Sequence, residues 1–450
     1  MNKTKILQEL SDFIAIESVS TDPNRFGQII NAVELLAKKL KALNFEVRII
    51  KVDKVPPLIV AFRPAQGKPE KTIAVYAHYD VQPEDPIERW KTPPFKLVVN
   101  NGKILGRGIA DDKGHLFQNI VAVEELINDV GTGRDLSLQN NIIFIFEGEE
   151  ETGSSHLEEM ILKAKETLAK ADVFYITDVG MHEKNIPQIF YGLRGIIYFE
   201  LEVETGEKDL HSGVYGNRVL NPILLLSELL SKIKSSETGK INIPHFYDDV
   251  RTSSQQEIEL LEKVARTESQ EKKETGTYKL VTVDEKHPHL STKTYPSFDP
   301  HGIWSGFTEQ GLKTVIPNKA AAKFSFRLVE NQEPEKIEKL VKQFIKDNLP
   351  EDVKFSLKNL GKDAPFYTDI ENPYIEKTAQ VFKEVFNHET LINRSGGSIS
   401  AAEILQRIFK KPVVLTGFTL PGDNIHSPNE NFDEEMFWKG IEALKKIYSA

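Results

Sequence analysis

Two histidines and a set of carboxylates, spread over most of the chain, are spaced as metal ligands and their partners can be. In Tyr76-Ala77-His78-Tyr79-Asp80 the imidazole and the carboxylate stand two residues apart at the end of an apolar run, so in a strand both point to one side of the sheet. One can bind a metal ion while the other fixes the imidazole tautomer or steadies a coordinated water. In Gly106-Arg-Gly-Ile-Ala-Asp111-Asp112-Lys113-Gly114, Asp111 stands at the start of a predicted helix, with apolar Leu116, Ile120, Val123 and Ile127 at three- and four-residue steps. Phe146-Glu147-Gly148-Glu149-Glu150-Glu151 places four acids within five residues after an apolar run. Carboxylates crowded at a sheet edge repel one another unless cations neutralise them, and the repulsion raises the pKa of one so that it can carry a proton. Glu150 and Glu151 can then divide the work between base and ligand. Asp178 follows a further apolar run, and His426 lies in Pro421-Gly-Asp-Asn-Ile-His426-Ser-Pro428.

Each of these residues has an ordinary explanation when taken alone. His78 can be satisfied by Asp80, Asp111 can cap a helix near the positive end of its dipole, and an acid run can be solvated. Asp178 and His426 can be a surface acid and a loop histidine. Together they make two imidazoles and three carboxylates without sulfur, a set suited to Zn²⁺, with Mn²⁺ or Co²⁺ as alternatives. Five ligands are too many for one open catalytic zinc but suit two ions about 3.5–4 Å apart that share a carboxylate and acidify water to a pKa of about 7. The glycine-containing loop before Asp111 lacks Gly-x4-Gly-Lys-[Ser/Thr], which disfavours a nucleotide site, and no Gly-x-Ser-x-Gly elbow points to a serine hydrolase.

Such ligands need a scaffold that brings distant segments to one edge. Thr72–Ala77, Asn141–Phe146 and Ala171–Ile176 are apolar on both faces, as central strands of a largely parallel α/β sheet are, and each is followed at once by acidic or His residues. The crevice beyond the carboxyl ends of such strands is the usual ligand site. From Ile196 to Glu204 the pattern alternates instead, which marks a strand with one exposed face and the start of a second domain. Asn221-Pro222 opens a Leu-rich helix to about Lys234, Lys323–Val329 alternates again, Pro334–Asn348 reads as a helix and Val353–Leu357 as a strand. This predicts helices on one face of an antiparallel sheet. Between them, about Arg251 to Thr277 reads as a solvated helix with a mobile connection. From about Ala364 the α/β style returns, with a buried strand at Pro412–Thr416 and a last amphipathic helix from Asp433 to Ser449. The predicted organisation is an α/β catalytic domain (1–193 and 364–450) with a mostly parallel sheet, interrupted by an inserted α+β domain (194–363).

With 450 residues, 40% of them apolar and 28% charged, the chain has the composition of a globular protein with room for an enclosed site. A formal charge of −10 argues against a phosphate-backbone partner such as nucleic acid. No apolar stretch is long enough to span a membrane and the first residues do not read as a signal peptide, so a cytoplasmic location is expected. The chain contains no cysteine, so any metal is held by nitrogen and oxygen.

The ordered set His78-x-Asp80, Gly-Arg-Gly-Ile-Ala-Asp111-Asp-Lys-Gly, Glu-Gly-Glu-Glu150-Glu151-Thr-Gly-Ser, Asp209-Leu-His211-Ser-Gly and Ile425-His426-Ser-x-Asn-Glu430 resembles the M20 metallopeptidases. His301-Gly-Ile, Lys313-Thr-Val-Ile-Pro317 and Lys323-Phe-Ser-Phe-Arg327 bring it nearest the carnosinase-like branch, the cytosolic non-specific dipeptidases. The resemblance implies a two-metal dipeptidase in which Asp111 bridges the ions, His78 and Asp178 complete one site, and Glu151 and His426 complete the other. Glu150 becomes the general base and Asp80 the partner of His78. It further implies that the inserted domain acts as a lid and forms a homodimer, and that His211 polarises the scissile carbonyl in the partner's site. Arg327 and Arg394-Ser395-Gly396-Gly397 match segments that bind the substrate carboxylate. The mechanism expected is attack on an amide carbon by a water that Glu150 deprotonates, after which Glu150 protonates the leaving amine. An N-acyl-amino-acid deacylase built on the same metal core is the alternative within hydrolases, and a non-catalytic metal-binding protein is the alternative outside them. One departure from the family's pattern is visible: Asp178 is followed by Val179-Gly180-Met181 in place of a polar stretch containing Asn, which bears on substrate preference.

Overall fold

The computed structural model describes residues 1–65, 67, 69–128 and 138–449. In chain order the elements that matter for the site begin with strands β1 (Glu46–Ile50), β2 (Leu58–Arg63) and β3 (Thr72–His78), then helix α1 (Lys113–Asn128). Strands β4 (Asn141–Glu147), β5 (Val173–Ile176), β6 (Gln188–Leu193) and β7 (Gly195–Glu204) come next, then helices α2 (Pro222–Ile233), α3 (Gln255–Glu262) and α4 (Glu268–Thr275). The chain continues through β8 (Ser297–Ser305), β9 (Lys319–Leu328), α5 (Pro334–Asn348), β10 (Lys354–Asp363), β11 (Val413–Leu415) and α6 (Glu434–Ser449).

Contacts divide the chain into two compact units. The first comprises Met1–Tyr191, Thr368–Ile392 and Ser400–Ala450, and the second Gly192–Tyr367 with Asn393–Ile399. The sequence reading keeps 364–450 in one domain, whereas the contacts assign Asn393–Ile399 to the second unit, where Arg394 pairs with Glu330.

In the first unit the strands run β1-β2-β4-β3-β5-β11-β6. The middle four, β4, β3, β5 and β11, are parallel, while β1, β2 and β6 join antiparallel. Every residue of β3 is buried, as its apolar run requires of a strand with neighbours on both sides and covered faces. Register brings the strand ends level: His78 pairs with Glu147, and Tyr76 with both Ile145 and Ile176, so β3, β4 and β5 deliver their next residues to one edge. Helices α1 and α6 pack on each other, tied by Gln118 Nε2 donating to the Phe437 carbonyl at 2.7 Å.

The second unit is a four-stranded antiparallel sheet, β8-β9-β7-β10. Alternate residues of β7 (Ile197, Phe199, Leu201, Val203) form a core with Leu226, Leu229 and Ile233 of α2 and Ile337, Val341 and Ile345 of α5. The residues between them carry charge: Glu200, Glu202 and Glu204 pair across strands with Lys319, Lys323, Lys354 and Lys358. Helix α2 begins where Asn221 Oδ1 accepts from Ile223 N–H, with Pro222 in the first turn, as expected. The single solvated helix expected over 251–277 is two helices, α3 and α4, each opened by a capping box at Ser254 or Thr267. Nor is α3 wholly solvated, since Glu257 and Leu261 are buried and Arg251 pairs with Glu257. The capping residue Thr267 starts a new helix inside one polar stretch. No helix among the described residues is long and apolar enough to cross a membrane.

Candidate active site

His78 ends β3 and, with Asp80, is fully buried. Its Nδ1 lies 3.1 Å from the Asp80 carbonyl oxygen and 3.3 Å from Asp80 Oδ1. Its Nε2 faces Asp111 Oδ1 at 2.9 Å and Asp178 Oδ1 at 3.8 Å. The second oxygen of Asp111, Oδ2, is 2.8 Å from His426 Nε2, and that nitrogen is 3.2 Å from Glu151 Oε2. Asp111 thus stands between two imidazoles with one oxygen toward each, which is how a carboxylate shared by two cations must stand.

Several side chains outside this set hold it in place. The Glu430 carboxylate accepts from the backbone N–H of Gly108, Ala110 and Asp111 at 3.0, 2.8 and 3.1 Å, and from Arg107 Nη1 at 2.7 Å. The loop that presents Asp111 is therefore moulded on one buried carboxylate. Asp112 accepts from the His78 backbone N–H and from His115 Nδ1, while His115 Nε2 accepts from Phe418 N–H. These contacts fix the His115 tautomer and tie the residue after Asp111 to the segment after β11. Gly114 and Gly417 are needed for close approach: a Cβ would come within 1.9 Å of the Ile109 carbonyl oxygen and within 1.5 Å of that of Val179. Asp80 accepts from the backbone N–H of Glu150 at 3.3 Å and of Glu151 at 3.1 Å, so it holds the acidic turn as well as His78. His426 adopts φ 58°, a left-handed conformation uncommon for a non-glycine residue, and its side chain stays half exposed. Sequence reasoning gives Asp112, His115 and Glu430 no role, although Asp112 and Glu430 stand in the motifs and His115 directly follows one.

Charge is concentrated here beyond what solvent can relieve. Burial, reinforced by Asp178, Asp111 and Glu151 and opposed by His78, pushes Glu150 well above the usual carboxylate range. Burial and Asp112 push Asp178 to about 7. Burial alone would raise Asp111 too, but hydrogen bonds to His426 and His78 hold it far below its ordinary value. Bonds to Asp111 and Glu151 raise His426 to about 10. The positive charge that these carboxylates need can come from protons on the imidazoles or from divalent cations in their place.

The donors fit the second possibility. His78, Asp112 and Asp178 form one group with ligand atoms within 4.8 Å of one another, and Asp111, Glu151 and His426 form another. Both oxygens of Asp112 are already accepting, which leaves it to orient and leaves Asp111 between the groups. Glu151 Oε1 is buried without a hydrogen-bond partner among the described residues, although Gln82 donates to Oε2 at 2.7 Å. A buried oxygen of this kind is costly unless a cation or water meets it.

The remaining candidates belong to the second unit. His211 is exposed at the end of the short strand Leu210–His211, and its Nδ1 accepts from Gly213 N–H at 3.0 Å. In the neutral ring the proton then sits on Nε2, which is left to donate. Arg327 lies on β9, half-buried. Arg394 is buried and held bidentately by Glu330, so its guanidinium is already engaged by a carboxylate within its own unit. Ser395 Oγ accepts from Gly397 N–H at 3.1 Å, and a Cβ on Gly396 would sit 3.0 Å from Arg194 Nη2. Arg194, which stands in no motif, has its Nε buried without a hydrogen-bond partner among the described residues, and burial and then the charge of Arg327 lower it to about 10.

Residues 74–450 match the family described as Peptidase family M20/M25/M40. The chain is similar to the Cys-Gly metallodipeptidase dug1 of Schizosaccharomyces pombe, with 31% identity over 98% of this chain and 94% of that protein. It is also similar to the human Beta-Ala-His dipeptidase, with 32% identity over 99% of this chain and 89% of the other. Among solved structures, the M20 family metallo-carboxypeptidase Sso-CP2 from Sulfolobus solfataricus superposes with a TM-score of 0.86 at 30% identity, covering 99% of this chain and 98% of that one.

Proposed function

The chain belongs to peptidase family M20/M25/M40 and is a hydrolase, and from that premise we propose that it uses two divalent metal ions to cleave dipeptides and similar small peptides with a free C-terminal carboxylate. The observation that carries the reading is Asp111, with one oxygen toward His78 and the other toward His426. His78, Asp111 and Asp178 would hold one ion, and Asp111, Glu151 and His426 the other, with Zn²⁺ the expected metal and Mn²⁺ or Co²⁺ the alternatives. When bound, the ions supply Lewis acidity that polarises the amide carbonyl and makes water easier to deprotonate.

The chain's own groups do the rest. Glu150, its proton affinity raised by burial and by neighbouring carboxylates, takes a proton from the attacking water and returns it to the leaving amine. Asp80 positions both His78 and the backbone of Glu150. His211 Nε2–H donates to the oxygen that gains charge as the carbonyl is attacked. Capture of the substrate carboxylate falls to Arg327 and the Arg394-Ser395-Gly396-Gly397 segment, in which Glu330 orients Arg394 and Gly396 lies beside Arg194. Within this reading, residues 194–363 act as lid and dimerisation domain, and His211 serves the partner's site. Exposed Val214, Leu220, Leu224, Ile303 and Trp304, the last two on edge strand β8, favour a second copy as the partner.

A second reading, removal of C-terminal residues from longer peptides, is favoured by the likeness to Sso-CP2, named a carboxypeptidase. Metal analysis of the purified protein, paired with assays on dipeptides, tripeptides and N-acetylated amino acids, tests all three. At least two equivalents of zinc, and turnover confined to dipeptides, are expected. Comparable tripeptide turnover would move the assignment to a carboxypeptidase, turnover of acetylated amino acids alone to a deacylase, and metal without any hydrolysis would overturn the enzymatic reading.

A further inference from the structure

Outside the candidate active site, a third group of ligand-type side chains converges in the second unit: Glu262, His287 and His289. One ligand atom from each lies within 4.8 Å of the others, and His287 Nδ1 is 4.0 Å from Glu262 Oε1. Nothing in the peptidase reading uses these residues. Glu262 is the last residue of α3, where the negative end of the helix dipole adds to the potential of its carboxylate. The two histidines flank Pro288 at the start of the short turn Pro288–Leu290, their rings edge to face at 6.0 Å. Asp284 holds that turn by accepting from the backbone N–H of Lys286 and His287, each at 3.0 Å. The Nε2 of His289 is shielded from solvent and has no hydrogen-bond partner among the described residues. Of the neighbouring charges, Asp284 favours a cation and Lys293 opposes one.

We propose that Glu262, His287 and His289 bind one further divalent transition ion, with zinc the best match. Two imidazoles and a carboxylate are a known donor set for zinc, with a fourth position left for water. Bond lengths of about 2.0–2.2 Å place ligand atoms of a tetrahedral site roughly 3.4 Å apart. The present spacing, 4.8 Å at most, closes to that with side-chain movements of about an ångström shared by half-exposed Glu262 and the two imidazoles. The other end of α3 is already anchored, because Arg251 pairs with Glu257 and with Glu330. The ion would clip the free end of the helix to the turn 287–290 and so order the segment between them.

Zinc titration of the metal-stripped full chain, followed calorimetrically and by elemental analysis, tests the site. Relative to the wild type, His287→Ala/His289→Ala is expected to lose one equivalent while dipeptide turnover and circular dichroism are unchanged. Glu262→Gln, at a surface position that folding tolerates, is expected to weaken the same equivalent at least tenfold. Asp111→Asn, which disables only the candidate active site, is expected to keep it. The proposal is overturned if the histidine pair and Glu262→Gln bind as much zinc as the wild type with equal affinity, or if Asp111→Asn abolishes all zinc binding. A peptidase reading that fails shows itself separately, as Asp111→Asn losing no metal.

Discussion

Glu150 and Glu151 are neighbours with the same side chain, and their surroundings separate them. Glu151 has one oxygen toward His426 and the other buried without a partner among the described residues, whereas burial and surrounding carboxylates raise Glu150 so that it can carry a proton. Glu150→Gln is therefore expected to lower kcat by roughly 10²–10⁴ with metal content unchanged, by steady-state kinetics and elemental analysis. Near-normal turnover would sink the assignment. Glu430 acts at one remove, through the loop it moulds. Glu430→Gln leaves Arg107 buried without its counter-charge, so a loss of about 3 kcal/mol by chemical denaturation and of roughly tenfold or more in metal affinity is expected. Lys293 offers a pH test away from the ligands of the candidate active site. Burial, with help from Arg394, Arg266 and Arg194, lowers it from 10.5 to about 8, although its ammonium donates to Asn393 Oδ1 and the Arg394 carbonyl. Between these values the unfolded chain binds the proton and the folded chain does not, so the stability contributed by Lys293 is present above about pH 10.5 and is lost as pH falls through 8. Denaturation in chelator-treated buffer should show wild type gaining about 1–3 kcal/mol on Lys293→Met between pH 8 and 10.5. A constant difference would refute the shift.

Strands β3, β4 and β5 were readable because strands covered on both faces are apolar throughout, and the chain turns polar at their carboxyl ends only where there is chemistry to do. Edge strand β8 was not read, since most of its residues are exposed and it is bent between Pro300 and Gly302, which removes the alternation. The polar stretch before it hid two helices, because helix starts there are set by capping side chains and not by an apolar stripe. The segment after β11 carries a constraint that no pattern of hydrophobicity reveals. Gly417 packs against the Val179 carbonyl, one residue from Asp178. Gly417→Ala must push these two backbones apart. A loss of about 1–3 kcal/mol in stability is expected, and kcat/KM should fall further than that loss explains, because Asp178 moves with Val179. Wild-type kinetics in a folded Gly417→Ala protein would show that the approach is not needed to place Asp178.

At the scale of the whole molecule, the proposed reading makes a complete site out of two chains, with Glu150 from one and His211 from the other. Mixing inactive Glu150→Gln with inactive His211→Ala and allowing subunits to exchange tests this directly. Half of a random dimer population is mixed and each mixed dimer regains one intact site, so about a quarter of wild-type activity is expected. No recovery after demonstrated exchange would place His211 in its own chain's site or outside catalysis. Leu224→Glu paired with Ile303→Glu is expected to yield monomers by light scattering, because both side chains are exposed apolar groups of the second unit.

The residue types themselves, in their order along the chain, determined that oxygen and nitrogen ligands gather beyond the ends of parallel strands, because without cysteine few other metal donors exist and fully apolar strands must be central. Spacing could not say which oxygen faces which imidazole. That was decided by packing: Glu430 reaches across more than three hundred residues to shape the Asp111 loop, and Asp112 turns away to His115 and the His78 backbone. Packing likewise decided that Arg394, by its motif a match for a carboxylate binder, is held by Glu330, because a buried guanidinium left without a partner is costly. Local sequence specifies a side chain's chemistry, but its partner is whatever the fold brings within about 3 Å.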